Sequence, residues 1–161
     1  MSSSNSPADV DGVAGPPAVD VDRMLLSALA RDGRASYTEL AEKVGLSVSA
    51  VHQRVRRLEQ RGLITGYRAS LDPKLLGLPL TAFVSITPIG AQSEDPPALL
   101  AHLEAIEECH AVAGQESYIL KVRVASPDAL EQLLREIRAC ANVSTRTTVV
   151  LSTLYEDRPP L

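Results

Sequence analysis

The chain has 161 residues, 45% hydrophobic and 22% charged, the balance of one folded domain of ordinary size or of two small ones. With no Trp, one Phe and 3% aromatic residues, any core must be aliphatic. Sixteen Lys and Arg against twenty Asp and Glu leave a net charge of −4, which for the chain as a whole argues against a nucleic-acid binder.

The charge is unevenly placed, and that changes the reading. Residues 1–20 carry three acids and no base, residues 21–70 nine bases against five acids, and residues 71–161 seven against twelve. A basic module joined to an acidic one implies two modules with different partners. Cys109 and Cys140 are the only cysteines and form no C-x-x-C pair, so a reducing, cytoplasmic setting is expected. The first residues lack the basic and apolar regions of a signal peptide. The uncharged run between Lys74 and Glu94 is broken by Gly77, Pro79, Pro88 and Gly90, which fits a buried strand between turns and no membrane partner.

Residues 1–19 are rich in Ser, Pro, Gly and Ala and read as a disordered tail. Asp20 can cap a helix in which Val21, Leu25 and Leu29 recur every four residues, ending near Asp32-Gly33. Ser36-Tyr37-Thr38-Glu39 fits a capping box and opens a short helix that buries Leu40, Ala41 and Val44 and stops at Gly45. Ser47 caps the next helix, which runs to about Arg61 before Gly62. Three helices, the last two joined by a tight glycine turn, form the pattern of a helix-turn-helix over residues 20–66. Leu63-Ile64 and Tyr67–Leu71 predict a short strand, so residues 67–79 read as strand and linker.

Beyond the linker the order is strand, helix, strand, strand, helix, strand, over residues 80–157. Leu80–Thr87 is a strand, and Asp95-Pro96 opens a helix predicted to reach Glu107, with Leu99, Leu100, Leu103 and Ile106 inward. Cys109–Ala113 and Tyr118–Val124 are strands around a Gly114–Ser117 turn. Ser126-Pro127 starts a helix burying Leu130, Leu133, Leu134 and Ile137, and Val143–Leu154 is the last strand. The fold class is therefore α+β, an N-terminal helix-turn-helix followed by a ferredoxin-like βαββαβ sandwich, with residues 158–161 as a tail. Helices on one side of such a sheet are expected to leave the other side apolar, with Tyr118, Leu120, Val122 and Val124, or the alternate side of Val143–Leu154, not all covered.

The third helix carries the clearest chemistry. On a wheel of about 100° per residue, Val48, Val51, Val55 and Leu58 define a buried face, and Ser49, Gln53, Arg56, Arg57 and Gln60 lie opposite. Small polar residues early and arginines later suit a helix lying in the major groove. Ser47, Ser49 and Gln53 can approach base edges, and Arg54, Arg56 and Arg57 can reach phosphates or guanine. His52, His102 and His110 show no metal-ligand spacing, and no phosphate-binding or nucleophile motif is present, so no catalytic or metal site is expected. The turn Gly114-Gln115-Glu116-Ser117-Tyr118 gathers backbone amides and two hydroxyls at one end of the sandwich.

These features together resemble the leucine-responsive/AsnC, or feast/famine, regulators. The resemblance covers about Asp20 to Asp157. It rests on Leu40-Ala41 with Val44-Gly45-Leu46-Ser47, on Val55-Arg56-Arg57-Leu58-Glu59 with Gly62-Leu63-Ile64 and Gly66-Tyr67, and on Val112-Ala113-Gly114, Tyr118–Val124 and Thr145-Arg146-Thr147. It implies a winged-type DNA-binding domain bound to double-stranded DNA in the nucleoid. It also implies a ferredoxin-like domain that dimerises and assembles to octamers, with a free amino acid, leucine or an aromatic one, as effector and no other cofactor. The effector site so implied comprises Gly114, Gln115, Glu116, Ser117 and Tyr118 with Thr148, Val149 and Val150. Many members carry Asp where this chain has Ser117, so the effector's ammonium group needs another acceptor, and Glu116 is one residue out of phase for it in a regular strand.

Overall fold

The computed structural model describes residues 18–90 and 95–160, so the expected tail lies outside it except for residues 18 and 19. Those two open helix α1 (Ala18–Arg31), which places Asp20 in the first turn, where an acid favours the helix dipole, and not at the cap. Helix α2 (Tyr37–Val44) begins with the expected capping box: Glu39 N donates to Ser36 Oγ at 3.2 Å, and Ser36 N to Glu39 Oε2 at 2.7 Å. The Ser36 amide holds the Glu39 carboxyl below its ordinary pKa. Gly45, at φ +68°, ends the helix in the left-handed region that a side chain disfavours. Two residues later Ser47 caps helix α3 (Val48–Gln60) by accepting from Ala50 N at 3.3 Å. Val21, Leu25, Leu40, Val44, Val51, Val55 and Leu58 close a separate aliphatic core under these helices.

Two expectations fail in this unit or after it. Val48 does not join the core: it is 46% exposed at the first turn of α3. Residues 63–64 and 67–71 form no strand, and no segment among the described residues pairs with them in a ladder. Leu71 and Leu75 are consequently left open to solvent.

The second unit spans Ser70–Glu156. Its strands β1 (Leu80–Pro88), β2 (Ile106–Ala111), β3 (Tyr118–Val124) and β4 (Val143–Val149) form an antiparallel sheet in the order β2-β3-β1-β4. Helix α4 (Pro96–Leu100) connects β1 to β2, and helix α5 (Pro127–Ala141) connects β3 to β4. This is the expected βαββαβ order. Ser126 caps α5, with Ala129 N donating to its Oγ at 3.1 Å. Ala82, Val84, Ile86, Leu120, Val122, Ile137 and Val143 make the core between sheet and helices.

The first of these helices is much shorter than expected, and β2 begins at Ile106, inside the segment read as helix. The register explains why. Ile106 pairs with Val122 and Glu108 with Lys121, leaving Glu107 in a bulge. That bulge brings both glutamates to the basic pair on β3: Arg123 Nε reaches Glu107 at 2.6 Å, and Lys121 Nζ reaches Glu108 at 3.2 Å. A continued helix would take both glutamates away from those cations. The last strand also stops early, at Val149.

The side of the sheet expected to be apolar is polar instead. Leu120, Val122 and Val124 face the helices and are buried. The open side presents Phe83, Lys121, Arg123, Arg146 and Thr148, and Phe83 is 42% exposed. Residues 150–156 run back over it, and Glu156 pairs with both Lys121 and Arg123.

Candidate functional site

The outer face of α3 is built as the wheel predicts. Val51, Val55 and Leu58 are at most 1% exposed, while Ser49, Gln53, Arg56 and Arg57 are all exposed. Ser47 Oγ lies 3.2 Å from Ser49 Oγ, so the capping hydroxyl and the first outward hydroxyl stand together. The arrangement offers hydroxyl and amide groups at the start of the helix and guanidinium groups along it.

Arg54 departs from that face. Its Nη1 donates to Asp22 Oδ1 of α1 at 2.8 Å, and both side chains are about a quarter exposed. Sequence reasoning had no signal for this pairing across 32 residues. Two further contacts border α3: the Tyr37 and His52 rings meet edge-on at 5.0 Å, and Tyr67 Oη donates to Glu59 Oε1 at 3.0 Å. Burial, and then Glu59, push the Tyr67 phenol up to about 12.

The residues grouped as an effector site do not come together within one chain. Tyr118 pairs with Ile86 at one end of β1, whereas Val149 pairs with Ala82 at the other. Four residues of strand separate the two positions, roughly 13 Å. The loop before β3 covers residues 112–117 and is longer than the expected Gly114–Ser117 turn. Val112 N donates to Ser117 O at 3.0 Å, and Ser117 N donates to Ile86 O at 3.1 Å, so the Ser117 amide is not among those free for a ligand. Gly114, Gln115 and Glu116 give their amides to no backbone acceptor among the described residues. Tyr118 is half-buried against the helix-side core, Val149 is 46% exposed, and Thr148 is exposed.

Glu116 finds a partner that the strand periodicity did not suggest. Because residues 112–117 lie in a loop, its side chain is free of strand alternation and pairs with Arg146 Nη2 of β4. Around the centre of the open face, His110 and then Lys121 hold the Glu108 carboxyl below its ordinary pKa, and Lys121 does the same for Glu156. Burial alone would lower the Lys121 ammonium, but hydrogen bonds to Glu156 and Glu108 outweigh it and its pKa lies above the ordinary value. Among the described residues, no group of three or more His, Cys, Asp or Glu could hold a metal ion, and no helix is long and apolar enough to cross a membrane.

Comparison with known proteins accounts for both units. Residues 20–65 match the family described as winged helix-turn-helix DNA-binding, and residues 81–160 the Lrp/AsnC ligand binding domain. The chain is 56% identical over 140 residues to the HTH-type transcriptional regulator LrpA of Mycobacterium tuberculosis, covering 86% of this chain and 93% of that one. It is 44% identical over 142 residues to the leucine-responsive regulatory protein of Salmonella typhimurium, covering 85% and 87%. Among solved structures, the feast or famine regulatory protein from M. tuberculosis complexed with L-methionine superposes with a TM-score of 0.84 at 56% identity, covering 87% of this chain and 96% of that one.

Proposed function

The chain belongs to the Lrp/AsnC family of transcriptional regulators, and from that premise we propose how it reads DNA and senses a free amino acid. Its relatives are regulators and not enzymes. Residues 20–66 bind double-stranded DNA of the chromosome in the cytoplasm, with α3 in the major groove. The observation that carries this reading is the capped helix whose Ser49, Gln53, Arg56 and Arg57 all stand open on one face.

Residues 80–157 sense the effector. The loop Gly114–Tyr118 and the segment Thr148–Val150 lie at opposite ends of β1, so a site using both is made between subunits. Homodimers assembling to an octamer would supply that meeting, and would cover the open face of the sheet with a second copy. The loop amides receive the α-carboxylate, Val149 and Val150 receive an apolar side chain, and Glu116 receives the ammonium after release from Arg146. Leucine, an aromatic amino acid, or methionine, the ligand of the M. tuberculosis relative, fits that description.

A thermal-shift screen of the twenty amino acids tests the sensing half, since a ligand of the native state raises Tm. Light scattering on the same samples reads assembly. Gly114→Asp should abolish both responses while DNA binding without ligand persists. A Cβ at Gly114 meets nothing within 4 Å, so this variant acts through charge and not through strain. A normal response from it would place the effector elsewhere.

A further inference from the structure

The one arginine of α3 that is drawn out of the outer face is also the one tied to another helix. We propose that Arg54 is a positioning residue and not a DNA contact: together with Asp22 it fixes the azimuth of α3 against α1, so that Gln53 and Arg57, its sequence neighbours on the outer face, are presented correctly. The proposal rests on the DNA-binding reading of α3.

The geometry separates Arg54 from its neighbours. Taking Val51 as zero, Gln53, Arg56 and Arg57 fall at about 200°, 140° and 240°, while Arg54 falls at about 300°, on the shoulder beside Leu58. That shoulder faces α1, and the 2.8 Å bond to Asp22 closes it. The opposite shoulder is closed by the Tyr37–His52 ring contact, and the far end by Glu59 and Tyr67. Tyr67 in turn lies over the α1–α2 turn, where a Cβ on Gly33 would stand 3.3 Å from its ring. Helix α3 is thus held along both shoulders by polar or aromatic contacts and beneath by the aliphatic core, and only its outer face is open.

Charge gives the same answer. For Arg54 to take a phosphate it would abandon Asp22, leaving a carboxylate uncompensated near the DNA backbone. Kept in the pair, Arg54 removes that repulsion while holding the helix.

The two roles predict opposite signs for Asp22→Asn. If Arg54 were a phosphate ligand held back by Asp22, the substitution would free it and tighten binding. A positioning pair predicts weaker binding, by about fivefold, the scale of a partly exposed ion pair. The measurement is fluorescence anisotropy of the full chain on a duplex that the wild type enriches from a random library, and on a scrambled duplex of equal length, over a range of salt. Asp22→Asn and Arg54→Ala should both weaken the enriched duplex more than the scrambled one, with the wild-type salt slope retained. Arg56→Ala, by contrast, should lower the slope by about one. The exchange Asp22→Arg with Arg54→Asp should restore affinity to within about twofold. Circular dichroism checks that each variant is folded, and Asp22→Asn carries the test if Arg54→Ala is not. A slope lowered by Arg54→Ala, or tighter binding by Asp22→Asn, overturns the proposal. A wild type that enriches no duplex overturns the DNA-binding reading itself.

Discussion

The two interfaces of this chain differ in how much of each one subunit owns. The proposed DNA-reading face lies on a single helix, and its residues from Ser49 to Arg57 span little more than two turns. The proposed effector residues lie on a loop and a strand end that the sheet holds apart, at opposite ends of β1. A face on one helix is complete as soon as the helix is packed. A site whose halves are separated by the rigid length of a strand is complete only when another copy approaches. On the proposed reading, sensing is thereby coupled to assembly: a ligand that needs residues from two subunits binds the assembled state better and shifts the population toward it.

The comparison is broken most forcefully at the single-helix face. Gln53→Ala should reduce discrimination between the enriched and scrambled duplexes by about 1–3 kcal/mol if the amide reads a base edge. Arg56→Ala should weaken both duplexes alike and lower the salt slope by about one phosphate. Both effects should appear whether or not an amino acid is present, because neither residue depends on a second copy for its place. Equal loss on both duplexes for Gln53→Ala would reject its base-reading role.

The legibility of the sequence follows the same division. The caps Ser36, Ser47 and Ser126, the left-handed Gly45 and the buried rows Leu40-Ala41-Val44 and Val51-Val55-Leu58 all depend on residues within a turn or two, and the spacing predicts each one. What escapes the sequence depends on partners far along the chain. The spacing of Leu99, Leu100, Leu103 and Ile106 suits a helix, yet the last belongs to a strand because Glu107 and Glu108 pair with Arg123 and Lys121. The Arg54–Asp22 pair spans 32 residues, and the separation of the two effector segments follows from a sheet register that no local pattern encodes. Strand alternation predicted that Glu116 would point away from the loop's other polar groups. The loop conformation removes that constraint and gives it to Arg146.

At the two-part site the expected effects are smaller. Arg146 is 69% exposed and Glu116 19%, so the pair between them is worth at most the fraction of a kcal/mol usual for exposed pairs, about 0.2–1 kcal/mol. Arg146→Gln should release Glu116 for the ligand's ammonium and tighten effector binding by up to about fivefold, leaving DNA affinity without effector unchanged. Glu116→Gln should act in the opposite direction and weaken it. Isothermal titration with the amino acid that gives the largest thermal shift measures both. Weaker binding by Arg146→Gln would mean that this arginine itself holds the ligand, and would overturn the release of Glu116.

The smallest effect concerns residues 150–156, which cross the open face of the sheet. Lys121, Arg123, Glu107, Glu108, His110 and Glu156 meet there, and Glu108 and Glu156 titrate below their ordinary values because His110 and Lys121 favour their charged forms. A carboxyl whose pKa is lower folded than unfolded stabilises the fold above the unfolded value, and that contribution is lost as pH falls through the folded one. Glu156 is 35% exposed and Glu108 44%, so water screens much of the attraction and the contribution is small. The wild type should therefore melt slightly above Glu156→Gln at pH 7. The gap should stay constant down to about pH 5 and close as the solution is acidified through the carboxylate range. Comparing the two proteins removes the titration of every other carboxyl from the difference. A gap that does not change between pH 7 and pH 3 would show that Glu156 holds the segment by shape and not by charge.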